Sequence, residues 1–132
     1  MRFVLDVSIT ASWAFSDEAN PHAFAILNRL DQDTALVPAL WWFEIRNVLL
    51  VNERRKRIAE STTAEFLRKL AQLPIEVESL PHESALLRLA RVHSLTVYDA
   101  AYLELALRQG VPLATEDAGL VRAAKAEAVS LL

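Results

Sequence analysis

Three acidic residues of this chain stand in apolar company, and a fourth lies just past an apolar strand. Asp6 lies within FVLDV, Glu44 within WWFEIRNVL and Asp99 within TVYDAAYLELA, and Asp117 ends the run LATED. Acids in such settings are informative, because burying charge is costly unless something compensates it. Two carboxylates ~4 Å apart repel by about 4 kcal/mol at an effective dielectric of 20. A divalent cation reverses that sign, and hard Mg²⁺ or Mn²⁺ prefers oxygen ligands. Magnesium keeps water that can be made a better nucleophile while the ion also takes a phosphate oxygen. Four acids gathered in this way would make a phosphodiester hydrolase. Each acid also has a purely structural role open to it. Asp6 can cap a turn, Asp99 can serve the first turn of a helix, Asp117 can be an N-cap, and Glu44 can be a helix-surface residue.

The elements that must position these acids can be read from local pattern. FVLDV is a short β-branched-rich run suited to a parallel sheet buried on both faces. Asn20-Pro21 reads as an N-cap followed by proline at the first helical position, opening a helix through HAFAILNRL. Ala35 to Val37 form a second strand closed by Pro38. A long helix covers Trp41 to Arg57, and Thr62-Thr63-Ala64-Glu65 reads as a capping box for the next. IEVESL is a third strand, and Pro81 begins a helix reaching His93. Thr96 caps a helix that runs to Gln109, with Gly110 as its stop. VPLAT is a fourth strand, Ala118 to Ala126 a final helix, and AVSLL a last strand. Alternation of strands and helices argues for an α/β sandwich with a mainly parallel sheet. In such sheets functional sites collect at the carboxyl ends of strands. Asp6 and Asp117 belong near the ends of the first and fourth strands, and Glu44 and Asp99 near the starts of helices.

Composition narrows the class. The chain has 132 residues, the size of one ordinary domain, and 53% of them are hydrophobic, enough for a buried centre. With no cysteine, a disulfide framework, a thiolate zinc site and a cysteine nucleophile are excluded. MRFVLDVS is a poor signal peptide, and no stretch approaches the ~20 apolar residues of a membrane span. A soluble, cytoplasmic protein is the expectation. The net charge of -3 is unusual for a protein that coats nucleic acid. Contact with RNA would have to be local, or made through metal ions.

The segments FVLDVSITASWAF, WFEIRNVLL, TVYDAAYLELALRQGVPLATED and AVSLL together resemble a PIN domain, specifically the VapC-type toxins of bacterial toxin–antitoxin pairs. The specific part is the combination of D-x-S at the first strand, E-x-x-N on the third helix, Y-D-A-A-Y-L-E-L-A, and L-A-T-x-D, in order across essentially the whole chain. The resemblance implies a PIN-like three-layer sandwich whose mainly parallel central sheet has four to five strands flanked by helices, with residues 1–132 as a single nuclease domain. It implies that Asp6 and Asp99 coordinate the metal and that Glu44 and Asp117 complete an acidic quartet. Ser8 and Thr115 match small hydroxyl positions that support that pocket. Similar proteins cleave RNA with metal-activated water, using Mg²⁺ or Mn²⁺. A small VapB-like antitoxin, an RNA substrate and a homodimer are the partners the likeness implies.

Other residues carry less. Asn47 lies one turn beyond Glu44 and is placed to steady its carboxylate. Arg54, Arg55, Lys56 and Arg57 form the one dense basic run. It is either a solvated helix end, favoured by the helix dipole, or a grip on RNA phosphates beside the acids. Trp41, Trp42, Trp13 and Phe15 read as core or interface residues. His22, His82 and His93 lack ligand spacing. Glu104, five residues from Asp99, belongs to another helix face, and Glu116 is read as pointing away from the pocket; a supporting role is open to both. Two other readings compete: a PIN-like RNA-processing nuclease without an antitoxin, and a non-catalytic binding protein whose acids are only caps. A haloacid-dehalogenase-type phosphatase would need a D-x-D start, which LDVS lacks.

Overall fold

The structure, a computed structural model, describes residues 1–15 and 20–132. Within them the chain runs β1 (Arg2–Leu5), α1 (Val7–Ala14), α2 (Pro21–Arg29), β2 (Thr34–Pro38), α3 (Ala39–Arg54) and α4 (Glu60–Leu70). It continues through β3 (Ile75–Glu78), α5 (Glu83–His93), α6 (Val97–Gln109), β4 (Leu113–Ala114) and α7 (Ala118–Ala126). The sheet order is β3-β2-β1-β4, and every pair is parallel. This is the expected α/β, PIN-like architecture.

Strand order decides which face each helix covers. From β1 through β2 to β3 the chain steps one way along the sheet, and from β3 to β4 it steps back past β1. Right-handed crossovers then put α1 to α4 on one face and α5 and α6 on the other. Packing agrees: α1 touches α2 and α3, while α6 touches α5 and α7. The reversal makes β1 and β4 the topological switch point, the edge at which open α/β sheets generally place their sites. Helices that connect parallel strands begin at that same edge.

The core joins the two layers through the strands. Phe3, Val4, Leu5, Leu36 and Val37 are fully buried, as continuous apolar strands in a two-faced sheet require. In α6 every residue from Ala100 to Ala106 is buried, because the helix lies between the sheet and two neighbouring helices. Ala100, Ala101 and Ala106 keep those approaches close.

Local differences from the sequence reading have local causes. The expected fifth strand, AVSLL, is reduced to one parallel bridge between Leu131 and Leu113, because β4 has only two residues to pair with. Helix α3 stops at Arg54, and Lys56 turns out with φ 60°, so the basic run is a helix end and not a helical face. The capping box at Thr62 does not form. Helix α4 already starts at Glu60, Thr63 donates to Glu53 on α3 at 2.6 Å, and Glu65 pairs with Arg68. By contrast Asn20 caps α2 through the Ala23 amide, and Thr96 caps α6 through the Asp99 amide.

Gly110 ends α6 with φ 64°, a left-handed conformation that costs an L side chain roughly 1 kcal/mol or more. Its absent Cβ would touch nothing within 4 Å, so only backbone strain distinguishes alanine there. Gly110→Ala is expected to lower unfolding stability by about 1 kcal/mol without changing the denaturant slope, as read in urea titrations.

Candidate active site

Asp6 is the only residue between β1 and α1. Its carbonyl accepts the amides of Ile9 and Thr10, starting the helix, but its side chain makes no capping bond. The carboxylate is therefore released from that structural role. It is 3% exposed, and Ser8 and Thr115 both donate to its Oδ2 at 2.7 Å. No side-chain donor among the described residues reaches Oδ1. These two bonds join α1 and the end of β4 to the first strand.

The turn after β4 reinforces the arrangement. The Asp117 amide donates to the Thr115 hydroxyl at 3.0 Å. The Asp117 side chain caps α7 by accepting from the Leu120 amide at 2.9 Å, so its structural role is real. A Cβ on Gly119 would come within 3.2 Å of Asp117 Oδ2, and glycine there leaves the carboxylate its place. Asp99 sits in the first turn of α6, where the helix N-terminus favours an anion.

Glu44 projects from α3 and is held by Tyr102, whose hydroxyl donates to Oε1 at 2.6 Å. Asn47, expected in that role, is exposed and makes no hydrogen bond to Glu44 among the described residues. Three residues on from Glu44, its side chain turns to solvent, while a tyrosine from the opposite layer reaches through. Tyr102 is fully buried, and a buried tyrosine hydroxyl needs a partner. That rule was the available signal for it; the partner lies 58 residues away in sequence.

Electrostatics ties the four acids together. Burial chiefly pushes the Asp6 carboxyl up, and the charge of Asp117 adds to this against the lowering by Ser8 and Thr115. Asp99 is raised by burial, then by Asp117 and Asp6. Glu44 is raised by burial and by Asp6 and Asp99, against the Tyr102 bond. The Tyr102 hydroxyl is raised in turn by burial and by Glu44. Asp6, Glu44 and Asp99 thus each feel at least one other acid, as carboxylates of one neighbourhood do.

These residues fit a divalent ion in charge and in donor chemistry, since carboxylate oxygens are what Mg²⁺ and Mn²⁺ take. Among the described residues no three histidine, cysteine or acidic side chains already close on a common point.

Other candidates lie elsewhere. Arg54 is roughly 15 Å along the helix axis from Glu44 at 1.5 Å per residue, so the basic run is not immediately beside the acids. Lys56 and Arg57 instead line a concavity of about 660 Å³ with Phe15, Ile58 and Thr62. Arg57 donates to Asn52 at 3.0 Å and lies over the Phe15 ring. Trp41 is buried and donates to Thr10 at 2.9 Å, whereas Trp42 is exposed beneath the Arg46 guanidinium. Glu104 is buried in an ion pair with Arg108. No described helix is long and apolar enough to cross a membrane.

The family model described as PIN domain matches residues 3–126. No curated protein matches the chain. Among solved structures it is similar to PAE2754 from Pyrobaculum aerophilum, with 25% identity and a TM-score of 0.71 over 93% of this chain and 87% of that one. It is similar to FitAcB from Neisseria gonorrhoeae, with 18% identity and a TM-score of 0.60 over 98% and 96%. VapBC2 from Rickettsia felis, solved bound to a DNA fragment from their promoter, gives 11% and 0.67 over 100% and 98%. The last two likenesses are of fold.

The raised carboxyls have a consequence for stability. A folded value above the unfolded one favours the protonated form, so the contribution is complete below about pH 4. It is lost as pH rises through the raised folded values. Asp6→Asn keeps an acceptor and removes the buried charge. In metal-free buffer its melting temperature is expected to improve relative to the unsubstituted protein between pH 4 and 7.5, as read by calorimetry.

Proposed function

The chain belongs to the PIN-domain family, and from that premise we propose that it is a metal-dependent endoribonuclease acting as the toxin of a toxin–antitoxin pair. The observation that carries this reading is the buried Asp6 carboxylate, fixed by Ser8 and Thr115, with Asp99 and Glu44 each raised in part by neighbouring acids. The positions of Asp6, Glu44, Asp99 and Asp117 after β1, on α3, at the start of α6 and after β4 favour a common site at the switch point. PIN domains are generally nucleases, which agrees with the chemistry of the cluster.

Asp6, Asp99 and Asp117 are the residues that would hold Mg²⁺ or Mn²⁺, with Glu44 holding it directly or through a water it orients. The ion, when bound, supplies an acidified water and a charge for the scissile phosphate. Ser8 and Thr115 fix the Asp6 carboxylate by their two hydroxyl bonds, and Tyr102 fixes Glu44. Preorganisation of this kind keeps the acids oriented. Arg54, Arg55, Lys56 and Arg57 are proposed to meet RNA phosphates farther along the strand, offsetting the negative net charge.

The antitoxin part of the proposal rests on the VapC-type motifs and is in keeping with a fold shared with VapBC2 and FitAcB. A small VapB-like protein would silence the site by placing a basic side chain among the acids. Exposed Leu80, Val97 and Tyr98, which line one largely apolar recess, favour a homodimer, since grouped apolar surface marks interfaces.

Expression of the chain alone is expected to arrest growth, and Asp6→Ala or Asp99→Ala to relieve the arrest. Purified protein should cleave RNA with Mn²⁺ or Mg²⁺ and stop on chelation. Each aspartate substitution should cost more activity than the roughly 10- to 100-fold that loss of a supporting bond brings, and Tyr102→Phe should fall within that range. Full toxicity and undiminished cleavage by both aspartate variants would overturn the mechanism. Alanine substitution across Arg54 to Arg57 should weaken RNA binding and flatten its salt dependence, by about one unit of slope for each phosphate no longer gripped. An unchanged slope would leave the run only a solvated helix end.

A further inference from the structure

Asp6 receives its two hydroxyl bonds at the end of two relays that start on the same turn. In one, the Asp117 amide donates to Thr115 Oγ1, which donates to Asp6 Oδ2. In the other, the Glu116 amide donates to Ser8 Oγ at 3.0 Å, and Ser8 donates to Asp6 Oδ2. The backbone of residues 115–117 thus determines how firmly the buried carboxylate is held. Besides the Asp117 cap and the Thr115 hydroxyl, the Glu116 side chain holds that backbone, and it does so against other elements.

Glu116 Oε1 accepts from Asn20 Nδ2 at 2.6 Å and from Ser12 Oγ at 3.3 Å. Asn20 also donates to Ser12 Oγ at 3.2 Å, and its own Oδ1 caps α2. His22 Nδ1 stands 3.8 Å from the other carboxylate oxygen. One side chain therefore fastens the β4–α7 turn to α1 and to the N-terminus of α2, where the helix dipole favours its charge. Charge-assisted bonds of this length are among the stronger ones available to a side chain. No other side chain of this turn reaches α2 among the described residues.

We propose that Glu116 is a positioning residue, which through Asn20 and Ser12 anchors the β4–α7 turn so that Ser8 and Thr115 hold Asp6 in register for a divalent ion. This rests on the metal-dependent reading above. The role requires acceptance of hydrogen bonds, not charge at the ion. Glutamine keeps the acceptor and alanine does not. Asn20→Asp retains the helix cap but sets a carboxylate against Glu116, and so breaks the anchor without removing the cap.

The test is Mn²⁺ binding by titration calorimetry on the whole chain, with metal-free melting temperature and Mn²⁺ dependence of RNA cleavage measured in parallel. Glu116→Ala and Asn20→Asp are expected to weaken Mn²⁺ binding about 10-fold, with half-maximal cleavage moving to correspondingly higher Mn²⁺. Glu116→Gln should stay near the unsubstituted protein. Mn²⁺ affinity unchanged in Glu116→Ala overturns the proposal, as does a glutamine variant as weak as the alanine one. Should Glu116→Ala fail to fold, the Asn20→Asp and Glu116→Gln pair decides the matter in the same way. Asp6→Ala separates the two levels: loss of binding in Asp6→Ala alone overturns only the role of Glu116, while an unsubstituted protein that binds no Mn²⁺ overturns the metal reading and this one with it.

Discussion

The structure depends on a carboxylate held almost out of water at the junction of two parallel strands. Asp6 is 3% exposed, and nothing cationic among the described residues faces it. Its neighbours compensate only partly, through two hydroxyls on one oxygen and the Val7 amide. Such a group is tolerated where the surrounding fold over-determines it. Here the first strand, the first helix and the β4 turn all converge on that one side chain.

The sheet order creates this situation. Because β4 returns to lie beside β1, two loops that are far apart in sequence diverge to opposite faces from adjacent strands. Asp6 follows β1 directly, and Asp117 lies in the turn after β4. Helices α3 and α6, starting at the same edge, bring Glu44 and Asp99. Tyr102 then spans from α6 to α3, so the two helical layers are joined through the Glu44 carboxylate. Stability and site geometry are not separable here. Tyr102 and Thr115, which close the fold at this edge, are also the residues that hydrogen-bond Glu44 and Asp6.

Much of this was legible in local pattern because short-range physics governs it. Asn20-Pro21, Thr96 and Gly110 act through bonds and backbone angles within four residues of themselves, and they delimit α2 and α6 as their types demand. The capping box at Thr62 failed because a partner on another helix, Glu53, takes the adjacent threonine hydroxyl. AVSLL has strand composition, but a strand needs an edge long enough to pair with, and β4 is two residues long. Asn47 was placed beside Glu44 by helical spacing, whereas the carboxylate looks toward the other layer.

What the sequence determined by itself is most of the elements, though not helix α1, which the strand reading of FVLDV ran into, since apolar periodicity and caps are properties of neighbouring residues. What only the tertiary structure decided is who supports each acid. Tyr102 reaches Glu44 across 58 positions, Thr115 reaches Asp6 across 109, and Glu116 reaches Asn20 across 96. Hydrogen bonds act over about 3 Å, and only the parallel return of β4 to β1 brings such distant residues that close.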